Sequence, residues 1–208
     1  YMRPDAVVKL LQSAGKQTLY PNEILIIDGS TNKKTEVILN KYSYKNLKYF
    51  LVDDSQRGLT KQRNFGIQKV SSNSDVVCFL DDDVILESNY FERLIETYTT
   101  HDDAIAVGGY ITNEVEWKKK TSFVAKDEFE LNGYVRKIGH RNIIRKSFGL
   151  LSDIGSIIPE ANSKRFPISY LPPTNKTYEV EYFMGGVSSY KKELFDKISF
   201  STYFEGYG

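Results

Sequence analysis

The first 111 residues alternate between short apolar runs suited to buried strands and stretches with apolar residues at helical spacing. Glu23–Ile27, Leu47–Val52 and Asp75–Leu80 are nearly continuous apolar runs, the pattern of strands covered on both faces. The spacing predicts helices over Asp5–Ala14, Thr35–Lys41, Thr60–Val70 and Asn89–Tyr98, the first entered at Pro4 and stopped at Gly15. A further strand is predicted over Ala104–Ile111. Such alternation implies an α/β class with a mostly parallel sheet flanked by helices. A chain of 208 residues, 40% hydrophobic and 26% charged, suits one soluble domain with its own core.

After Ile111 the pattern weakens. The segment from Trp117 to Pro173 has mixed periodicity and several glycines, and it reads as an irregular or hairpin-rich insertion. Residues 118–166 hold 11 Lys/Arg against 5 Asp/Glu, whereas residues 1–117 hold 13 against 17. The insertion is therefore either a basic face for an anionic partner or an ordinary solvated loop. Thr177–Phe183 alternates like a strand, Met184-Gly185-Gly186 breaks it, and Lys191–Phe195 starts a short helix. Fifteen tyrosines and twelve phenylalanines either line a sugar or base pocket or simply pack widely.

In parallel α/β sheets, ligands bind beyond the carboxyl ends of the strands. Three successive predicted strands end in carboxylates: Asp28, Asp53-Asp54 and Asp81-Asp82-Asp83. Topology brings these acids to one edge although they are far apart in sequence. Adjacent carboxylates at a strand tip repel one another, and a divalent cation with a preference for hard oxygen, Mn²⁺ or Mg²⁺, relieves that cost. Strand alternation would aim Asp81 and Asp83 to one side and Asp82 away. Taken alone, the triplet is equally an acidic turn. A phosphotransfer aspartate site would want Thr where this chain has Ile85, and a receiver-type site would want a late Lys that is not evident. The helix opening at Arg57-Gly58-Leu59-Thr60 carries Lys61, Arg63, Asn64 and Gly66. Its N-terminus offers free N–H groups to phosphate, with Arg63 one turn inside.

Ile27-Asp28-Gly29-Ser30, Gly58-Leu-Thr-Lys-Gln-Arg63-Asn64-x-Gly66 and Phe79-Leu80-Asp81-Asp82-Asp83 resemble, in order, successive motifs of family 2 glycosyltransferases with the GT-A fold. Tyr1-Met2-Arg3-Pro4 looks like the end of that family's opening motif, and Met184-Gly185-Gly186 through Lys191 resembles its Gly-Gly segment. The resemblance implies a single GT-A domain over 1–208, with a nucleotide-binding half at 1–111 and an acceptor-side half at 112–208. It implies nucleotide contacts from Tyr1, Asp28, Arg63 and Asp81, a metal held by Asp81 and Asp83, and close approach of donor or acceptor at Gly185 and Gly186. It further implies an inverting transfer from a nucleotide-diphosphate sugar, a UDP-sugar favoured, to a glycan or lipid-linked acceptor in bacterial cell-surface polysaccharide synthesis. Two other readings stand beside it, a nucleotidyltransferase and a nucleotide-sugar-binding module without activity.

Two departures from that pattern carry expectations. The family's first strand would precede Tyr1, which leaves a gap between parallel strands. Its general base, an Asp in a Glu-Asp pair, would follow Phe204-Glu205-Gly206-Tyr207-Gly208, and Glu205 comes too early for that role. The 208 residues alone are thus expected to bind nucleotide and metal but to transfer poorly. One cysteine, Cys78, provides no disulfide framework and fits a reducing compartment. No apolar run reaches the roughly eighteen residues of a spanning helix, and no secretory signal is visible. The expected location is cytoplasmic, at the inner face of the plasma membrane if the basic segment meets anionic lipid. No nucleic-acid partner is expected.

Overall fold

A computed structural model describes residues 2–113, 116–121, 123–125, 128–137, 144, 147–148, 171–180 and 183–203. The chain divides into two compact units, residues 1–107 with 185–208, and residues 108–184. The chain after Gly185 returns to the first unit, where Val187–Lys191 pairs with Val76–Leu80.

In the first unit, β1 (Ile24–Asp28) and β2 (Leu47–Leu51) are parallel, with Ile24 opposite Leu47 and Asp28 opposite Leu51. Parallel pairing puts both carboxyl ends at one edge. The Val52 N–H donates to the Asp28 carbonyl at 2.9 Å, closing the ladder there. β3 (Val76–Leu80) pairs antiparallel with β8 (Val187–Lys191), which also borders β4 (Ala106–Gly108), in the order β3-β8-β4. Among the described residues the ladders β1-β2 and β3-β8-β4 are separate.

The helices are α1 (Pro4–Ala14), α2 (Lys34–Leu39), α3 (Leu59–Lys69) and α4 (Tyr90–Thr100), each within two residues of its predicted ends. Two faces of α1 are buried. Val8 and Leu11 join Leu39 of α2 in one core cluster, and Leu10 and Ala14 join Leu86 in another. Full burial of a leucine contributes about 1.5–3 kcal/mol, so α1 is a principal tie within this unit.

The sequence pattern misplaced the last strand. Of the strand expected at Thr177–Phe183, Thr177–Val180 has no regular structure and residues 181–182 lie outside the described ones, and a strand lies instead at Val187–Lys191. The reason is chemical: Val-Ser-Ser-Tyr-Lys lacks an apolar run, yet Ser188 and Ser189 are 1% and 0% exposed. Their hydroxyls are satisfied inside. Ser189 Oγ donates to the Val107 carbonyl at 2.8 Å and lies 3.1 Å from Tyr98 Oη, and Ser188 Oγ donates to the Gly185 carbonyl at 3.0 Å. The helix predicted at Lys191–Phe195 is a 3-10 turn at Lys192–Asp196, and the predicted Ala104–Ile111 strand shortens to β4.

In the second unit, β5 (Lys118–Lys119), β6 (Glu128–Leu131) and β7 (Tyr134–Lys137) form an antiparallel sheet in the order β5-β7-β6. Asn132 and Gly133, with φ of 51° and 79°, make the two-residue turn between β6 and β7. Positive φ at both positions matches the right-handed strand twist, and Asn-Gly adopts it at low cost. The hairpin-rich insertion is present in the described part. The architecture is mixed α/β with a parallel strand pair and flanking helices, the class expected.

Candidate functional site

Three arginines tie the carboxylate-tipped strands together. Arg57 Nε donates to the Gly29 carbonyl at 2.6 Å, and its Nη1 pairs with Asp54, linking the ends of β1 and β2. The Met2 N–H donates to Ser30 Oγ at 3.0 Å, while Arg3 pairs with Asp82 and, at 3.0 Å, with Asp83. Residues 2–3 thereby bridge the ends of β1 and β3. Arg63, from the second turn of α3, reaches Asp81 Oδ1 at 3.4 Å and the Gly185 carbonyl at 3.1 Å. The strand ends carry six carboxylates (Asp28, Asp53, Asp54, Asp81, Asp82 and Asp83) against these three guanidinium groups, so the edge keeps an attraction for cations.

Of the residues expected from sequence, Arg63, Asp81, Gly185 and Gly186 come together. The Asp81 N–H donates to the Gly186 carbonyl at 2.8 Å, extending the β3-β8 ladder by one bond. A Cβ on Gly186 would lie 2.4 Å from Asp81 Oδ2, so the residue must lack a side chain for Asp81 to sit there. At Gly185 the nearest atom to such a Cβ is Arg63 Nη1 at 3.4 Å, an ordinary contact, and its contribution is the carbonyl that anchors Arg63. Arg63 also lies over the rings of Phe79 and Phe200, 5.7 and 5.5 Å from their centroids.

The triplet does not alternate as a strand would. β3 ends at Leu80, and Asp81–Asp83 enter a turn closed by Val84 N–H to the Asp81 carbonyl at 3.2 Å. Asp82 and Asp83 consequently share Arg3, while Asp81 goes to Arg63.

Asp28 is 8% exposed. Its Oδ1 accepts the Ser30 N–H and its Oδ2 accepts the Tyr49 hydroxyl, each at 2.8 Å. Burial pushes its pKa up, but hydrogen bonds from the Ser30 hydroxyl and N–H, Tyr49 and Thr35 outweigh that and hold it below the usual carboxylate value. The Tyr49 hydroxyl is raised by burial and by donating to Asp28. Beside the ends of β1 and β2 lies a cavity of about 550 Å³ lined by Ser30, Thr31, Leu51, Asp53, Asp54 and Arg57, among others. Tyr1 lies outside the described residues, as do Phe204–Gly208.

The family model described as Glycosyl transferase family 2 matches residues 1–198. The chain belongs to that family. It is 26% identical over 150 residues to the glucosyl-dolichyl phosphate glucuronosyltransferase of Haloferax volcanii, covering 71% of this chain and 47% of that protein. It is 34% identical over 110 residues to glycosyltransferase GlyA of Streptococcus pneumoniae, covering 52% of this chain and 15% of that protein. The chain thus spans about half the length of the first of these relatives and less of the second. A crystal structure of S. aureus TarS 1-349 aligns with a TM-score of 0.44 at 16% identity, over 66% of this chain and 44% of that one.

Glycosyl transfer is the chemistry for which that family is named, and the GT-A fold accords with family and architecture. A family member of this kind calls for a divalent cation, and the donor set can be tested against it. Asp81 and Asp83 offer hard carboxylate oxygens with side chains 50% and 60% exposed. Among the described residues, no group of three or more His, Cys, Asp or Glu forms a ready-made cage. One or two carboxylates completed by water and phosphate oxygens is how Mg²⁺ is commonly held, and the residues fit that arrangement.

Sequence reasoning missed Arg3, Arg57 and Phe200 as parts of the site. Arg3 lies inside the opening motif and Arg57 directly before Gly58, and at both positions only the acids they neutralise signal a role in the site. Phe200 has no local signal at all.

Proposed function

We propose that the chain is the donor-binding core of an inverting glycosyltransferase that uses a nucleoside-diphosphate sugar, UDP-linked by preference. The acceptor in this reading is a glycan or lipid-linked sugar in cell-surface polysaccharide synthesis. The observation that carries the reading is the meeting of Arg63, Asp81 and Gly185-Gly186 at the end of β3, in the same unit as the cavity at the ends of β1 and β2. The base would enter that cavity near Asp28, Asp53 and Arg57, the diphosphate would run toward Arg63, and Asp81 and Asp83 would hold the cation.

When bound, the cation supplies Lewis-acid neutralisation of the departing diphosphate. Arg63 adds a fixed positive charge on the same leaving group without reorganising at the moment of transfer. The acceptor oxygen forms its bond to the anomeric carbon as the carbon–phosphate-oxygen bond breaks, and the hydroxyl proton passes to a carboxylate base. Gly186 leaves room for the Asp81 carboxylate, which would hold the cation. Exposed Lys118 and Lys119 on β5 support an approach to anionic lipid at the cytoplasmic face, although Glu116 and Glu130 pair with Lys118 and Lys120. Among the described residues, no helix is long and apolar enough to cross a membrane.

Calorimetry of the chain with UDP and with GDP, each with and without Mn²⁺, tests the reading. Mn²⁺-dependent binding of UDP is expected. No binding of either nucleotide would sink it.

A further inference from the structure

Asn64 follows Arg63 on α3 and touches none of the site carboxylates, yet it makes a paired contact 136 residues away in sequence. Its Nδ2 donates to the Phe200 carbonyl at 2.8 Å, and its Oδ1 accepts the Phe200 N–H at 2.9 Å. A carboxamide presents one donor and one acceptor as a peptide group does, so Asn64 acts as a one-residue strand partner for Phe200. No aspartate, serine or alanine at position 64 can make both bonds.

The pinned residue is the one that matters for Arg63. Phe200 stacks edge-on against Phe79 with centroids 5.2 Å apart and also meets Tyr190 and Phe195 at 6.3 and 6.0 Å. The Arg63 guanidinium lies over both Phe79 and Phe200, and its side chain is only 16% exposed. Four walls therefore fix it: two rings, the Gly185 carbonyl and Asp81. Phe79 is fixed by β3. Phe200 belongs to an irregular stretch after the 3-10 turn and has no ladder of its own, so its ring is placed by the Asn64 bonds and by the other rings.

We propose that Asn64 is a positioning residue, pinning Phe200 so that Arg63 is aimed at the donor's diphosphate. The proposal rests on the reading of Arg63 as a diphosphate ligand. Its consequence is that the segment after the 3-10 turn tunes donor affinity through a ring stack, without touching the donor.

The test combines a binding cycle with a motional readout. Asn64→Ala is expected to weaken Mn²⁺-UDP binding about tenfold in the wild-type background and to change it no further in an Arg63→Ala background. Additive losses in the two backgrounds would overturn the proposal, since a merely structural role adds. In ¹⁵N-labelled chain, the Arg63 Nε–H signal, assigned by its loss in Arg63→Lys, should show a rigid heteronuclear NOE that falls in Asn64→Ala. An unchanged NOE also overturns it. Should Asn64→Ala fail to fold, Phe200→Leu keeps both backbone bonds and removes the ring, and the same fall in the Arg63 NOE is required of it. If the wild-type chain binds neither UDP nor GDP, the donor reading fails, while the Arg63 NOE still decides whether Asn64 holds Phe200 and Arg63 in place.

Discussion

Gly186 and Asp81 occupy one place between them: a methyl group on Gly186 would sit 2.4 Å from Asp81 Oδ2, and the two are joined by Asp81 N–H to Gly186 carbonyl at 2.8 Å. The backbone bond holds the residues together, and the absent side chain lets the carboxylate lie down beside it. Gly186→Ala must therefore swing the Asp81 carboxylate or shift the β8 turn. We expect Mn²⁺-dependent UDP binding to weaken at least about tenfold, which is about 1.4 kcal/mol. Gly185→Ala, whose Cβ meets only the tip of Arg63 at 3.4 Å, should cost far less. Parallel titration calorimetry of the two variants checks this, and equal losses would contradict it.

Asp83 and Asp82 share Arg3, so a cation held by Asp83 would compete with that guanidinium for the carboxylate. Arg3→Ala removes the competitor for the carboxylate but also the bridge between the ends of β1 and β3. If Asp83 ligates the cation, Asp83→Asn abolishes the Mn²⁺ dependence of UDP binding, whereas Asp82→Asn leaves it largely intact. Mn²⁺ relaxation enhancement of water protons reads the site without any nucleotide. Retained enhancement in Asp83→Asn would move the cation elsewhere.

The parts of this architecture that could be read in advance are those with local causes. Apolar runs located β1, β2 and β3, and the 3.6-residue spacing located four helices, because each pattern reports which face is buried. The carboxylate tips followed from topology. The strand β8 was not legible, since its buried positions are serines whose hydroxyls are satisfied by Val107, Tyr98 and Gly185, partners fixed only by tertiary structure. Strand alternation also failed at Asp81–Asp83, because the ladder stops at Leu80 and the triplet turns. Chain distance hid the arginine ties: Arg3 lies about eighty residues from Asp82 and Asp83, and Arg57, though close to Asp54, bonds the Gly29 carbonyl 28 residues away.

Asp28 gives the chain an acid-sensitive tie. Its pKa is held below the ordinary carboxylate value, burial being outweighed by hydrogen bonds from Ser30, Tyr49 and Thr35. A group depressed in the folded state stabilises above its unfolded pKa of about 3.9, and that contribution is lost as pH falls through the folded value. Urea midpoints measured from about pH 5 down to about pH 2 should therefore fall more steeply for wild type than for Asp28→Asn. Tyr49→Phe removes one of the compensating bonds and should begin the loss at higher pH. Superimposable acid limbs for the three proteins would remove Asp28 from the account.

Cys78 lies in β3 opposite Ser189, in the strand that delivers Asp81 to the site. Burial pushes its thiol up to about 12. The reactive species is the thiolate, so at about pH 8 almost none is present; the thiol is partly buried, and opening of β3 would expose it fully. Reaction with an aromatic disulfide should consequently be slow in the native chain and immediate in denaturant. Because β3 also carries the backbone bond from Asp81 to Gly186, ligand bound at its end should slow opening further. The measurement is the Cys78 modification rate with and without Mn²⁺ and UDP. A lower rate with both present is expected, and a rate indifferent to ligand would show that β3 opens independently of the site it supports.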